Sequence, residues 1–241
     1  MWVLTSWDDG HPLDERLADL LDRYGLKATF FVPFKNSEGR PVMSTDALCR
    51  LDGRFEIGSH TMDHVVLTEL SREECERQVV GGKDALEQLL GHVVSGFCYP
   101  RGKYNVLIRD IVMRAGCNYA RTIENLRLDL GEDPFSIPTS IQLFPHGKQV
   151  LIRNYLRYGH YITRFEVLKI AMRSKNWFDF IVNLLKYDSE DCIILHIWGH
   201  SWEIEGLGLW NQIEELFSII AAKQPKLCTI SELIKKRARQ I

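Results

Sequence analysis

The 241-residue chain has almost no imbalance of charge: 30 Lys and Arg stand against 32 Asp and Glu, a net charge of -2. A nucleic-acid or anionic-membrane partner calls for a basic footprint, and none is present. No apolar run approaches the roughly 20 residues of a membrane span. Linkers, low-complexity segments and internal repeats are missing, so one domain over residues 1–241 is expected. CxxC spacing is absent as well, and the scattered Cys49, Cys75, Cys98, Cys117, Cys192 and Cys228 read as buried free thiols. Met1 to Thr5 enters a strand pattern directly, without a basic leader, a long apolar stretch or a small-residue cleavage site. A cytoplasmic location is expected on that ground. What is plentiful is core material, with 45% hydrophobic and 10% aromatic residues, enough for one large core.

Short apolar or β-branched runs alternate with segments of helical period, the pattern of βα units around a largely parallel sheet. Strands are expected at Trp2 to Ser6, Ala28 to Phe34, Phe55 to Ser59, Val94 to Tyr99, Cys117 to Thr122, Cys192 to Trp198 and Leu227 to Thr229. Leu13, Leu17, Leu20 and Leu21 share one helical face, with Gly25 as a stop. Ser71 and Glu74 form a capping-box pattern that opens a helix running to about Leu90, before Gly91. Further helices fit Val106 to Arg114, Trp177 to Lys186, Asn211 to Lys223 and Ile230 to Arg239. Between Asp129 and Arg164, Pro134, Pro138, Pro145 and three glycines break any period. Loops and irregular strands are expected there.

Four clusters stand at the ends of strand candidates, the rim where α/β barrels build active sites. In Ser6-Trp7-Asp8-Asp9-Gly10, adjacent carboxylates past a strand point in different directions, so one can bind a cation while the other handles a proton. Taken alone, the segment reads as an Asp-Gly turn. In His60-Thr61-Met62-Asp63-His64, imidazoles four apart can converge on a metal, and two imidazoles plus a carboxylate make an open zinc site. The other reading has one structural His, with Asp63 orienting its neighbour. Cys98-Tyr99-Pro100-Arg101-Gly102 forms a tight loop, either a plain strand-to-helix turn or one aiming the Arg101 N–H at a developing oxyanion. In Leu195-His196-Ile197-Trp198-Gly199-His200, alternation puts His196, Trp198 and His200 on one side of a strand. There an imidazole can act as an acid, or can be a satisfied core histidine.

The order and spacing of these motifs resemble the polysaccharide deacetylase family, also called the NodB homology domain or carbohydrate esterase family 4. Ser6-Trp7-Asp8-Asp9-Gly10 resembles its T-F-D-D-G motif, His60-Thr61-Met62-Asp63-His64 its H-[ST]-x-x-x-H motif, Pro100-Arg101-Gly102 part of R-x-P-x-G, and Leu195-His196 its late L-H motif. The resemblance implies a distorted, seven-stranded (β/α) barrel. It implies Asp8 as catalytic base, Asp9, His60 and His64 as metal ligands, His196 as general acid and the Arg101 N–H as oxyanion donor. The metal implied is Zn2+, with Co2+ or Ni2+ able to substitute. Tyr99, Arg121, Trp198 and His200 are the candidates for contact with a carbohydrate substrate.

Two features depart from the pattern. Cys98 stands where the family's arginine contacts the catalytic aspartate, leaving Arg101 and Arg121 as candidates to tune Asp8. No D-x-x-D-W motif is present between Arg121 and Asp133. Gly199-His200-Ser201-Trp202-Glu203 is an unusual ending, and His200 can bind substrate, support His196 or compete with it. The expected reaction is N-deacetylation of an acetamido sugar. The alternatives are hydrolysis of a non-sugar amide or ureide bond, and carbohydrate binding without catalysis.

Overall fold

Runs such as Trp2-Val3-Leu4-Thr5-Ser6-Trp7 are mostly apolar on both faces, as suits a strand covered on both sides in a parallel sheet. In the computed structural model, which describes residues 1–187 and 193–238, such runs form β1 (Trp2–Asp8), β2 (Thr29–Val32), β3 (Glu56–Ser59), β4 (Gly96–Cys98), β5 (Tyr119–Arg121), β6 (Ile141–Gln142), β7 (Ile194–Gly199) and β8 (Lys226–Leu227). Their pairings are all parallel, in the order β5-β4-β3-β2-β1-β7-β6, with β8 beside the start of β1. Residues 134–143 span the remaining side. The Thr122 N–H donates to the Ile137 carbonyl (2.9 Å) and the Leu143 N–H to the Trp198 carbonyl (2.7 Å). This irregular stretch completes the distorted barrel. Seven strands stand in the continuous order, but β6 comes from the segment expected to be irregular, and the strand expected at Leu227 to Thr229 is the short β8 off that path.

Helices cover the outside: α1 (Asp14–Arg23), α2 (Thr45–Asp52), α3 (Arg72–Leu90), α4 (Val106–Arg114), α5 (Lys148–Tyr158), α6 (Tyr161–Arg173), α7 (Trp177–Leu185), α8 (Ser201–Gly206), α9 (Trp210–Ala222) and α10 (Ile230–Ala238). α3 begins with the Ser71 hydroxyl accepting the Glu74 N–H and ends at Gly91, whose φ of 75° suits glycine. The expectation of loops between Asp129 and Arg164 fails for α5 and the start of α6. Pro134, Pro138 and Pro145 all precede α5, and Gly147 and Gly159 flank it. The period breakers therefore lie outside the helix. Buried Arg164 pins the corner between α5 and α6 by donating to the carbonyls of Asn154 (3.0 Å), Tyr155 (3.0 Å) and Gly159 (2.8 Å) at the end of α5. Cys192 and Arg239, expected at the edges of a strand and a helix, lie outside the described residues.

Alternation along the strands separates two cores. Val3, Trp7, Phe30, Leu195 and Ile197 pack outward against helices such as α9 through Phe217. Leu4, Phe31, Cys98, Tyr119 and Ile194 fill the inside of the barrel. Along β1 the inward series is Leu4, Ser6 and Asp8, so polar groups follow the apolar floor toward the C-terminal rim. Cys75, Cys98, Cys117 and Cys228 are buried free thiols, whereas Cys49 is exposed on the outer face of α2, which turns Ala47, Leu48 and Leu51 inward.

Candidate active site

The rim is built on strained backbone. Asp9 (φ 79°), Thr61 (φ 67°), His64 (φ 52°) and Arg101 (φ 54°) are all left-handed, a conformation that costs non-glycine residues of order 1 kcal/mol or more and tends to gather at functional sites. Asp8 ends β1 facing inward. The turn at Asp9 and Gly10 then swings the second carboxylate toward the loop after β3, where His60 and His64 stand.

Asp9 Oδ1 lies 3.1 Å from His64 Nε2 and 3.7 Å from His60 Nε2. Neither contact is aligned as a hydrogen bond, and this buried oxygen has no donor. His60 Nδ1 donates to the Cys98 carbonyl at 2.8 Å, so its Nε2 presents a lone pair. Burial, reinforced by His64, lowers the His60 pKa to about 4 and keeps the ring neutral. The remaining Asp9 oxygen accepts the Trp202 Nε1–H at 2.9 Å. Three electron-rich atoms within 4.8 Å of one another, with Asp9 and His60 braced from behind by Trp202 and the Cys98 carbonyl, could hold a divalent cation in an open site. Asp8, His60 and Cys98 also lie within that distance. The Arg121 guanidinium contacts both Asp8 and Cys98, and its positive charge disfavours a cation there.

Asp8 is the other half of the site. Burial pushes its pKa up, but Arg121, joined by His60 and His200, outweighs that and holds the carboxyl below the usual carboxylate range. One oxygen is paired with Arg121; Oδ1 is buried and free of hydrogen bonds, poised to accept a proton. Arg121 is itself fully buried, 4.8 Å from the Trp198 ring centroid and 5.3 Å from that of Phe31. Register explains how it reaches Asp8: Cys98 on β4 pairs with Arg121 on β5, and the small thiol leaves room for the guanidinium (Nη2 to Sγ 2.9 Å). The support sought at position 98 comes from the neighbouring strand.

Several expected roles need correction. Arg121 sits beneath Asp8 and offers nothing to a substrate. Tyr99 points into the core between β4 and α4, stacked on Tyr104 and donating to the Phe135 carbonyl at 3.0 Å. Trp198 is buried against Arg121 and is no sugar platform. The Arg101 side chain binds Glu38 (2.7 Å) rather than Asp8. Asp63 turns away from the histidines and accepts from Gln78 Nε2 at 2.7 Å. His196 is the largest change: Nδ1 donates to the Pro138 carbonyl (3.1 Å) and Nε2 accepts from the Ser6 hydroxyl (2.9 Å). Burial and the nearby Arg121 lower its pKa to about 3. It is a satisfied neutral histidine inside the barrel, not a protonated one.

His200 instead reaches the rim. Its Nδ1 lies 2.7 Å from Glu203 Oε2, which also accepts from Gln142 Nε2 at 3.0 Å. Burial acts to lower the His200 pKa, but Glu203, Asp9 and Asp8 outweigh it and raise the value to about 9. Gln142 and Glu38 join the site without having been singled out, and Trp202 and Glu203 join it from the unusual ending that follows β7. The spacing of His200 and Glu203, three apart at the start of a helix, is a readable signal; Glu38 and Gln142, distant in sequence, carry none.

A model of the polysaccharide deacetylase family matches residues 1–120, the stretch that carries Asp8, Asp9, His60, His64 and Arg101. The chain is similar to a chitooligosaccharide deacetylase of Azorhizobium caulinodans, 32% identical over 117 residues that cover 47% of this chain and 54% of that protein. It is also similar to a peptidoglycan-N-acetylglucosamine deacetylase of Bacillus cereus, 28% identical over 104 residues, 42% of this chain and 36% of that one. The chain thus spans about half the length of these relatives or less. Among solved structures, it shares its fold with a chitin deacetylase from Colletotrichum lindemuthianum, with TM-score 0.58 and 17% identity over 96% of this chain and 86% of that one. A family 4 acetyl xylan esterase from Clostridium thermocellum, in complex with a cobalt ion, gives TM-score 0.61 and 15% identity over 99% and 92%. With the motif residues brought together at the rim of such a barrel, the chain belongs to the polysaccharide deacetylase family.

Proposed function

We propose that this protein is a metal-dependent hydrolase that removes the N-acetyl group from an acetamido sugar, in an oligosaccharide, a polysaccharide or a glycan precursor. The observation that carries the reading is the buried Asp9, His60 and His64 donor set, with Asp9 Oδ1 unpartnered, beside an ionised Asp8 that keeps one oxygen free. The relatives' names point to acetamido sugars as substrates. Asp9, His60 and His64 would hold the cation, Zn2+ by the chemistry of a mixed imidazole and carboxylate set, with Co2+ or Ni2+ as substitutes. Such a cation supplies a lowered pKa for water and polarises a carbonyl oxygen.

The chain's own residues do the rest. Asp8 Oδ1 takes the proton of the attacking water, and Arg121 keeps Asp8 ionised so that it can. The Arg101 N–H, held by the left-handed turn at the end of β4, is the proposed donor to the oxyanion. The departing amine needs a proton from a group at the rim, which His196 cannot supply.

Metal content and acetate release, measured over a panel of acetamido oligosaccharides and nucleotide-sugars, test the reading. Asp8→Asn should bind metal and lose turnover, while His64→Ala should lose the metal. Equal metal loss in both variants would refute the division of labour between Asp8 and Asp9.

A further inference from the structure

We propose that the hairpin of α5 and α6 is a docking surface for an anionic lipid membrane, whatever reaction the barrel performs. The net charge of -2 argues against an anionic partner only as an average over two unequal parts. Residues 148–175 carry seven Lys and Arg against one Glu, a net charge of +6 in 28 residues, which leaves -8 on the remainder. A local basic footprint of this kind does not show in the total. It coincides with a second feature of the same segment. Ile152, Leu156, Tyr161, Ile162 and Phe165 are all exposed within 14 residues of chain, Leu156 by 62% and Ile162 by 93%. Single apolar side chains at a surface are ordinary, but a cluster of them marks a surface that meets a partner.

The core does not need these five side chains. Leu151, Val167 and Ala171 supply the inward faces of α5 and α6 and are buried, and Arg164 fastens α6 to the barrel by donating to the Asn125 carbonyl at 2.9 Å. By helical period, Ile152 and Leu156 lie together on the outward side of α5, with Arg153 and Arg157 on their flank. On α6, Tyr161 and Phe165 stand one turn apart, with Ile162, Lys169 and Arg173 beside them. Two hydroxyls close the corner between the helices: Tyr155 donates to the Tyr161 carbonyl (2.9 Å) and Tyr161 to the Leu156 carbonyl (3.1 Å). The apolar residues of both helices therefore form one preorganised patch with cations along it. Among the described residues, Lys169 alone of those four cations is in an ion pair, with Glu166 (2.9 Å).

This combination selects the occupant. Aliphatic and aromatic side chains can enter the boundary between headgroups and acyl chains, while Arg and Lys stems lie along it and carry their charges to lipid phosphates. A nucleic acid offers the cations phosphates but gives Ile152, Leu156 and Ile162 nothing to pack on. A second copy related by two-fold symmetry sets the same patch against itself and so brings Arg to Arg. An anionic bilayer satisfies both the apolar and the cationic parts, and the -8 on the remainder of the chain orients the molecule with the hairpin toward the surface.

Flotation of the full chain with vesicles tests the proposal, using phosphatidylcholine alone and three parts phosphatidylcholine to one part phosphatidylglycerol, with hydrogen exchange to locate the contact. Binding should require phosphatidylglycerol, fall in high salt and protect α5 and α6 from exchange. Arg153→Gln combined with Arg157→Gln should weaken it roughly 10- to 30-fold, about fivefold for each cation removed. Ile162→Ser combined with Phe165→Ser should weaken it roughly 10-fold or more, because the inserting apolar area is lost. All four side chains are exposed, so both double variants should keep the thermal unfolding of the wild type, and lost binding then reports the surface rather than the fold. Equal binding to the two vesicle types, no binding to the anionic ones, or full binding by both double variants overturns the proposal. Protection of the hairpin by self-association or by an oligonucleotide, without protection by anionic vesicles, overturns it as well.

Discussion

Asp8 and Arg121 make an ion pair whose importance lies in the protonation state it enforces. Buried beside an uncharged neighbour, Asp8 would take up a proton and cease to be a base; with Arg121 against it, the carboxylate persists. Removing one partner of a buried pair strands the other, at a cost of about 3–5 kcal/mol. Arg121→Met should accordingly lower stability by several kcal/mol in urea titrations, and raise the acid limb of the pH–rate profile by a unit or more as burial of Asp8 loses its main opponent. Arg121→Lys, which keeps the charge but not the contacts to Cys98 and Thr122, should fall between the two. An acid limb that stays put in Arg121→Met would mean that Asp8 is not the group whose ionisation controls turnover. A residue's partner can thus arrive from the adjacent strand in register, and the absence of arginine at position 98 does not leave Asp8 unsupported.

At the scale of elements, the histidine loop takes its shape from α3. The Met62 N–H donates to the Gln78 carbonyl (3.0 Å), and the Gln78 side chain binds Asp63. One turn further on, Gly82 allows the helix to touch the loop: a Cβ there would stand 2.7 Å from Met62 N and from the Thr61 carbonyl carbon. Neither backbone can retreat without moving His60 or His64. Gly82→Ala gains helix propensity, yet it should weaken metal binding about 10- to 100-fold, the size of effect seen when support behind ligands is disturbed. Calorimetric titration with Zn2+ checks this, and unchanged affinity would show that the loop holds its shape without α3.

Across the whole molecule, the buried histidines tie stability to pH with opposite signs. His60 and His196 have pKa values near 4 and 3 in the fold, below an unfolded value of about 6.5. The unfolded chain binds more protons there, so stability falls as pH drops below about 6.5. His200, raised to about 9, contributes stability below about 6.5 that is lost as pH rises toward 9. The metal-free protein should therefore be most stable near neutrality. His196→Gln removes one buried histidine without touching the metal donors. Between pH 7 and pH 5 its unfolding free energy should drop by about 2 kcal/mol less than that of the wild type. Parallel pH dependences for the two proteins would show that His196 is not held neutral.

Local chemistry in the sequence was enough for the βα alternation, the capped start of α3 at Ser71, and the convergence of Asp9, His60 and His64, because Asp9 directly follows its strand and His60 and His64 share a single short loop. Motif spacing of that kind survives folding unchanged. The helices α5 and α6 were hidden because the prolines that break the period sit just before them, and the different surroundings of the two histidines near β7 were not legible because alternation gives the side of a strand but not the depth at which a ring lies. Only the closed barrel put His196 among Ser6, Pro138 and Arg121, carried Arg121 under Asp8, and brought Gln142 and Glu203 behind His200. Those partners lie tens to more than a hundred residues from one another along most of the links, and it is the burial and charge of distant neighbours, not residue type, that decides which carboxylate is a base and which imidazole can give up a proton.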